Sequence, residues 1–408
     1  MIVMQPNFGL ILMIKRYWHL FKTVWVQALP AVYFFGHPGK RLKIYGITGT
    51  DGKTTSATLL YHVLKKSGYK VALISTVAAY IGDQEIETGF HVTSPQPWDL
   101  HKLLKRCLDA DIEHVVLETT SHGLFQYRIW GIEFEMVGIT NITNEHLDYF
   151  GTWEKLVKAK SLIFKQAKLA FLNADDRSFT FLKQYCQKTN VPYQTYSQDI
   201  PSNVLGKTIK ARFPEVYNRW NANLIVAMAR QIGINDGKLC QAINNFPGVK
   251  GRMEPIKNQL GINIVVDFAH TPNALEKALT ALKGATKGKL IAVFGSAGLR
   301  DRQKRPAMGE IGSQMADLAI FTAEDPRTEN IQVILRQMKE GVKETNFRKV
   351  VTQPDRKDAI KLALSLAKPN DTVGVFGKGH EKSMCFGKKE VPWSDQQVIA
   401  DLLLDQNA

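Results

Sequence analysis

The chain has 408 residues, of which 44% are hydrophobic and 22% charged, with a formal net charge of +15. This is the composition of an ordinary globular protein long enough for two or three domains. Cys107, Cys186, Cys240 and Cys385 lie far apart without C-x-x-C spacing, so neither a zinc site nor a disulfide framework is expected, as suits a reducing cytoplasm. The basic excess favours anionic partners such as nucleotides, carboxylates or an acidic membrane surface. The lysines are scattered and no nucleic-acid motif accompanies them, so no nucleic-acid partner is expected.

Residues 1–40 differ from the rest. Lys15, Arg16 and Lys22 interrupt every apolar run before it could span a bilayer, and no small-residue cleavage site follows a clear signal-peptide core. Ile14, Trp18, Phe21, Trp25 and Ala28 share one helical face with the cations mostly off it. Two readings compete: a helix docked by that face on the protein's own core, which is favoured, and a basic helix lying on a membrane. Initiation at Met13 would remove the most apolar part.

Next comes "RLKIYGIT", a buried strand, and "TTSATLLYHVLKK", a helix with apolar positions at Leu59, Leu60, Val63 and Leu64. The residues between them, Thr48, Gly49, Thr50, Asp51, Gly52, Lys53, Thr54 and Thr55, form a Walker A loop. Gly49 and Gly52 let successive backbone N–H groups turn inward beside a helix N-terminus, where phosphates bind. Lys53 supplies a point charge and the Thr54 hydroxyl a ligand for Mg²⁺. Ile47 replaces the usual first glycine of the pattern.

Alternation of strand and helix continues through "KVALIST", "HVVLET", "MVGIT" and "AKLAFLN", with helices at "RWNANLIVAMARQIG" and "GKLCQAINNF". "PGVKGRMEP" breaks the pattern near Gly248 to Arg252, and alternation then resumes to the end. The predicted fold class is α/β: a central P-loop ATPase domain with a mostly parallel sheet, plus a smaller Rossmann-like C-terminal domain without a proper G-x-G-x-x-G fingerprint. The predicted boundaries are an amphipathic segment 1–40, a central domain 41–250 and a C-terminal domain 251–408.

Polar clusters fall at the carboxyl ends of strands, where open α/β sheets bind ligands. Glu118 ends one strand, and His146 and Asp148 follow another. Singly, His146 reads as a structural histidine and Glu118 as a helix cap; converging on Thr54, they could hold Mg²⁺ around phosphates.

Eight ordered stretches, "TGTDGKTT", "ETTSHGL", "TNITNEHLDYFGTWEKLVKAKSLIF", "GRMEP", "VDFAHTPNAL", "FGSAGLRDRQKRPAMG", "EDPRTE" and "GKGHE", resemble the Mur ligase family, closest to its tripeptide-forming branch. The resemblance implies ATP-dependent, ADP-forming amide synthesis on a muramoyl-dipeptide-type cell-wall precursor through an acyl phosphate. It assigns catalysis to Lys53, Glu118, His146 and Lys160, and Mg²⁺ to Thr54, Glu118, His146 and Lys160. Lys160 matches the family's carbamylated lysine, although the residue alone reads as an exposed helix lysine. Asn218 and Asn221 match base contacts, with Glu215 where a glycine is common. Arg252, Asp267 and His270 match residues that reach ATP on domain closure. Thr93, Ser94, Ser121 and Arg128 match positions holding the acyl-accepting peptide.

Arg300, Asp325, Arg327, Gly377 and Glu381 match positions that meet the incoming amino acid, diaminopimelate or lysine. Arg327 would grip a distal carboxylate in a bidentate pair. Asp325 replaces the Asn of the usual D-N-P-R motif, and its charge is expected to soften rejection of lysine. Full-length relatives carry an N-terminal uridine-binding domain; here about forty residues stand in its place, and Asp176 to Phe213 is a shortened stretch. The implied enzyme is a cytoplasmic monomer with a membrane contact available through its N-terminal helix. Two rivals are a two-domain ligase like folylpolyglutamate synthetase and a non-catalytic nucleotide-binding partner protein. "GRMEP", "EDPR" and "GKGHE" argue against the first, and the intact Lys53, Glu118, His146 and Lys160 set against the second.

Overall fold

The computed structural model describes residues 17–86, 94–143, 147–199, 204–213 and 215–405, with the side chains of 147 and 148 excepted. Thr93, His146, Ile14 and the Asp148 side chain therefore lie outside the described residues. Two compact units divide the chain, Met1–Pro247 and Gly248–Ala408.

In the first unit the strands are β1 (Lys43–Thr48), β2 (Val71–Ile74), β3 (Ala79–Ile81), β4 (Gln84–Ile86), β5 (His114–Glu118), β6 (Phe134–Ile139), β7 (Ala170–Asn173) and β8 (Tyr193–Tyr196). They form one sheet in the order β4-β3-β2-β5-β1-β6-β7-β8. All pairs are parallel except β2–β3 and β3–β4. Every residue of β2 and β5, and all of β1 but Lys43, is buried. Helices covering both faces leave no wet side, so these strands read as continuous apolar runs rather than alternating ones. The helix Lys53–Lys66 buries Ala57, Leu59, Leu60, Val63 and Leu64, which is the face its sequence spacing predicts. Phe134, Val137, Ile44, Val115 and Leu104 belong to one core cluster; truncating a buried Phe such as Phe134 to Ala costs about 3–5 kcal/mol.

The second unit holds β9 (Glu254–Ile256), β10 (Asn263–Asp267), β11 (Leu290–Phe294), β12 (Leu318–Phe321), β13 (Val350–Thr352), β14 (Thr372–Phe376), β15 (Ser383–Phe386) and β16 (Lys389–Pro392). Six of them form a sheet in the order β13-β12-β11-β14-β10-β9, parallel except for β9, while β15 and β16 form a separate hairpin.

The N-terminal segment departs from the face its sequence predicts. Val24, Ala28, Ala31 and Val32 are buried, whereas Trp18, Phe21 and Trp25 are exposed. Leu20–Ala28 is a π-helix, whose wider turn takes more than 3.6 residues, so a face drawn at α-helical spacing slides off register. The segment does dock on its own unit, against the helix Pro97–Asp109, but of the predicted face's described residues only Ala28 is buried.

Candidate active site

The loop after β1 lies between β5 and β6, the strands flanking β1 in the sheet. Gly52 (φ 80°) caps the helix that starts at Lys53. A side chain at Gly49 would meet the Thr140 hydroxyl at 1.9 Å, and one at Gly52 would meet the Asn221 side-chain oxygen at 2.4 Å. Glycine is therefore required at both positions by close approach as well as by backbone angle.

Thr140 and Asn141, just past β6, clamp the loop. Thr140 Oγ1 donates to the Asp51 carbonyl (2.7 Å), Asn141 Nδ2 donates to the same oxygen (3.0 Å), and Asn141 Oδ1 accepts from Asp51 N (3.1 Å). Thr50 N donates to the Asn141 carbonyl (2.8 Å), and Thr143 N donates to Thr50 Oγ1 (3.1 Å). Sequence reasoning missed both clamps. Their signal was a Thr-Asn pair directly after a buried strand, a place where side chains can bond a neighbouring loop. Thr48 is tied to the next loop through Thr119 O (3.0 Å).

Lys53 Nζ donates back to Thr50 O (2.6 Å). Thr54 Oγ1 donates to Glu118 Oε1 (3.0 Å), and Glu118 Oε2 accepts from Thr76 N (3.1 Å). Glu118 is 1% exposed, so it is a buried carboxylate bonded to the loop rather than a helix cap. Lys160 is also 1% exposed, with Nζ donating to the Gly49 carbonyl (2.6 Å). The reading of Lys160 as an exposed helix lysine is therefore wrong: the helix Trp153–Lys160 carries it into the phosphate loop. Thr55 sits half-buried in the first helical turn.

Asn221 lies on the helix Val216–Ile232 and donates to Asn218 Oδ1 (3.4 Å), while Asn218 donates to Glu215 Oε2 (3.2 Å). Glu215 thus provides a polar anchor where a glycine is common. Nearby, Ser94, Thr120, Ser121 and Arg128 form a second cluster. Ser94 Oγ meets Thr120 Oγ1 at 3.1 Å and accepts from Thr120 N at 3.2 Å. Arg128 donates to Ser94 O (2.8 Å) and Gln126 Oε1 (2.9 Å). Ser121 is buried in the first turn of Ser121–Phe125, which Thr120 caps through Gly123 N. Burial depresses the Arg128 guanidinium from its usual range, the expected cost of taking a cation out of water.

In the second unit, Asp267 ends β10 and accepts from Met253 N (2.7 Å) and Ala269 N (2.8 Å). Burial raises its carboxyl, and Arg252 opposes the shift. Arg252 lies over the Phe268 ring, 4.5 Å from its centre, and its buried Nε has no hydrogen-bond partner in the described structure. His270 and His380 flank the same ring at 4.5 and 4.9 Å. Burial pushes both imidazoles down to about 4, helped by Lys304 at His270 and by Arg252 at His380. Both are therefore neutral near pH 7.

Lys378 lies buried between two carboxylates, Asp325 Oδ1 at 2.9 Å and Glu381 Oε2 at 2.5 Å. Burial opposes its charge, but Glu381 and Asp325 outweigh it and hold the amine above its usual range. Asp325 Oδ1 also accepts from Cys385 N (3.0 Å). The carboxylate expected to soften rejection of lysine is thus matched by an internal cation. Sequence reasoning passed over Lys378, whose signal was a lysine set between the two glycines of "GKGHE". Gly377 (φ 107°) leaves room for Glu324 Oε2, which a side chain there would meet at 2.8 Å. Arg327 holds a left-handed backbone (φ 54°), pinned by its N–H to Cys385 O (2.9 Å) and its carbonyl from Gly387 N (2.8 Å). Arg300 is exposed beyond β11. Buried Arg305, unforeseen from sequence, forks onto Glu329 with two 2.9 Å bonds.

The chain carries a glycine-rich strand–helix loop on a mainly parallel sheet and a second α/β unit, and it belongs to the Mur ligase family, a class of ATP-dependent ligases. The Mur ligase middle domain matches residues 47–222 and the Mur ligase glutamate ligase domain residues 251–379. Members of this class are ADP-forming amide ligases. The chain is 37% identical to the UDP-N-acetylmuramoyl-L-alanyl-D-glutamate--2,6-diaminopimelate ligase 1 of Clostridium acetobutylicum, over 92% of this chain and 81% of that protein. A solved UDP-N-acetylmuramoyl-L-alanyl-D-glutamate--2,6-diaminopimelate ligase superposes with a TM-score of 0.60 at 27% identity, over 90% of this chain and 79% of that one. E. coli FolC in complex with DHPP and ADP superposes at 0.67 over 92% of each chain, with 17% identity, a likeness of fold alone.

Proposed function

We propose that this enzyme joins an amino acid, diaminopimelate in preference to lysine, to the terminal carboxylate of a muramoyl-dipeptide-type cell-wall precursor. Its curated relatives are named for that reaction. The observation that carries the reading is Glu118, buried and bonded at once to Thr54 of the phosphate loop and to Thr76.

The loop N–H groups and Lys53 gather the triphosphate and offset the repulsion between anionic oxygens. A carboxylate oxygen of the acceptor, held beside Ser94, Ser121 and Arg128, attacks the γ-phosphorus. The bond to the bridging oxygen breaks, ADP leaves and an acyl phosphate remains. The neutral amine of the amino acid then attacks the acyl carbon, loses a proton and expels inorganic phosphate. Thr54 and Glu118 offer hard oxygen donors at the start of the loop helix, a donor set that fits Mg²⁺. With His146 and a carbamylated Lys160 they would hold the ion, which supplies charge stabilisation around the phosphates. Lys160 in its present form donates to a carbonyl; carbamylation would convert that donor into an anion beside the loop. Asn218 and Asn221 would meet the base, and Arg252, Asp267 and His270 match family positions assigned to ATP and are proposed for that role.

Arg327 and Glu381 suit a ligand end with a carboxylate beside an ammonium. Because Lys378 balances Asp325, lysine rejection is expected to be strong, as at any site with an arginine left unpaired by the wrong ligand. The enzyme is proposed to act as a cytoplasmic monomer. ADP release measured against muramoyl dipeptide with and without UDP, each with diaminopimelate or lysine, tests the reading. Release dependent on acceptor and diaminopimelate together supports it; release with a pteroate-type acid and glutamate instead, or with no acceptor tried, refutes it.

A further inference from the structure

We infer that the N-terminal helical segment docks the enzyme on an anionic lipid surface. Nine aromatic side chains are strongly exposed among the described residues, and six of them, Tyr17, Trp18, Phe21, Trp25, Tyr33 and Phe34, fall within eighteen consecutive positions. A seventh, Trp98, lies 5.3 Å from the Phe34 ring and extends the same patch. Scattered apolar exposure needs no explanation, but this concentration of exposed rings on one segment points to an interaction surface. The segment is not a loosely tethered tail. Val24, Ala28, Ala31 and Val32 bury its other face, so the aromatic side is presented by an anchored element.

Charge chooses the partner. The first fifty residues carry Lys15, Arg16, Lys22, Lys40, Arg41 and Lys43 and not one Asp or Glu. Lys22, Lys40 and Arg41 are exposed, with Lys40 in a solvent-exposed pair with Glu133 at 3.9 Å. A second copy of this chain would set these cations against one another, whereas an anionic bilayer matches them. Trp and Tyr are the side chains that settle at the headgroup level, with an apolar ring and a polar tip. No helix among the described residues is long and apolar enough to cross a membrane, so contact would be made in the interface plane, by rings entering the headgroup boundary.

The test uses the full chain and two vesicle compositions, phosphatidylcholine alone and phosphatidylcholine with phosphatidylglycerol. The wild type is expected to float with the anionic vesicles, to stay in solution with the neutral ones, and to release from the former as salt rises. Trp18 and Trp25 should shift their emission to the blue on anionic vesicles, and Trp18→Phe with Trp25→Phe should remove that shift. Trp18→Ser/Phe21→Ser/Trp25→Ser should weaken partitioning at least about tenfold while leaving ADP release in solution unchanged. Equal flotation of wild type and triple variant, no flotation, or a concentration-dependent dimer that the triple variant dissociates without vesicle binding would each overturn the inference. The last outcome would assign the stripe to a copy of the same chain.

Discussion

The two units differ in how they partner several of their cations, although Lys304 of the second unit also donates to a carbonyl, that of His270 (2.7 Å). At the carboxyl end of β1, Lys53 and Lys160 donate to neutral backbone carbonyls of the phosphate loop. In the second unit the buried cations meet carboxylates: Lys378 with Asp325 and Glu381, Arg305 with Glu329, Arg356 with Asp395. Lys53, held by a carbonyl, can turn to an arriving anion at the cost of one ordinary hydrogen bond, whereas Lys160 is the lysine proposed to become an anion by carbamylation. A lysine between two carboxylates is already paired and serves as scaffold. The first arrangement suits a site that receives a polyanion and transfers part of it. The second suits a pocket that must keep a fixed shape while choosing among zwitterions.

The sharpest way to break this contrast is Lys53→Ala. Turnover should fall about a thousandfold or more, with thermal stability close to wild type because the lysine is half-exposed and supports no core. Near-normal ADP release would remove the loop from the chemistry. Lys378→Met should do the reverse and damage folding. It leaves Asp325 and Glu381 facing each other without their cation, a loss of about 3–5 kcal/mol. Adding Asp325→Asn should recover part of that in a urea titration, and no recovery would mean the pair is not the source.

Lys160→Ala should be inactive and partly rescued by short carboxylates that stand in for a carbamate. Full activity without rescue would deny it the modification. A smaller effect is expected from pH. His270 and His380 sit at about 4 in the folded protein, below the ordinary value near 6.5. Between those values the unfolded chain binds more protons, so stability should be full above 6.5 and fall as pH drops toward 4. The raised carboxyls of Asp267 and Glu324 take up protons in the folded state and work against that fall. Urea midpoints for wild type and His380→Asn between pH 7 and 5 check it; an equally steep fall in the variant would exclude that histidine as a source.

The sequence was most readable where backbone need and chemistry coincide. Gly49, Gly52, Lys53 and Thr54 could stand in that order beside a strand and a helix for few reasons. The mainly parallel sheets were legible because their strands are buried on both faces and read as unbroken apolar runs. The antiparallel hairpins β3–β4 and β15–β16 were not: three- and four-residue strands with polar positions carry little periodicity, and their turns at Gly82 and Gly387 are short signals. Thr140, Asn141 and Lys378 escaped notice because each works through a partner distant in sequence, such as Asp51 for the first two. The N-terminal face was misread because a 3.6-residue period was laid over a π-helix.

The division of labour between the units is tested most directly by trapping the acyl phosphate with hydroxylamine, using ATP and acceptor but no amino acid. Wild type and Arg327→Ala should both yield the acceptor hydroxamate with ADP in equal amount, while Lys53→Ala yields neither; adding diaminopimelate should divert wild type, but not Arg327→Ala, to the amide. If Arg327→Ala loses the hydroxamate as completely as Lys53→Ala does, activation and amino-acid choice are not separable between the units, and the charge contrast does not mark two functions.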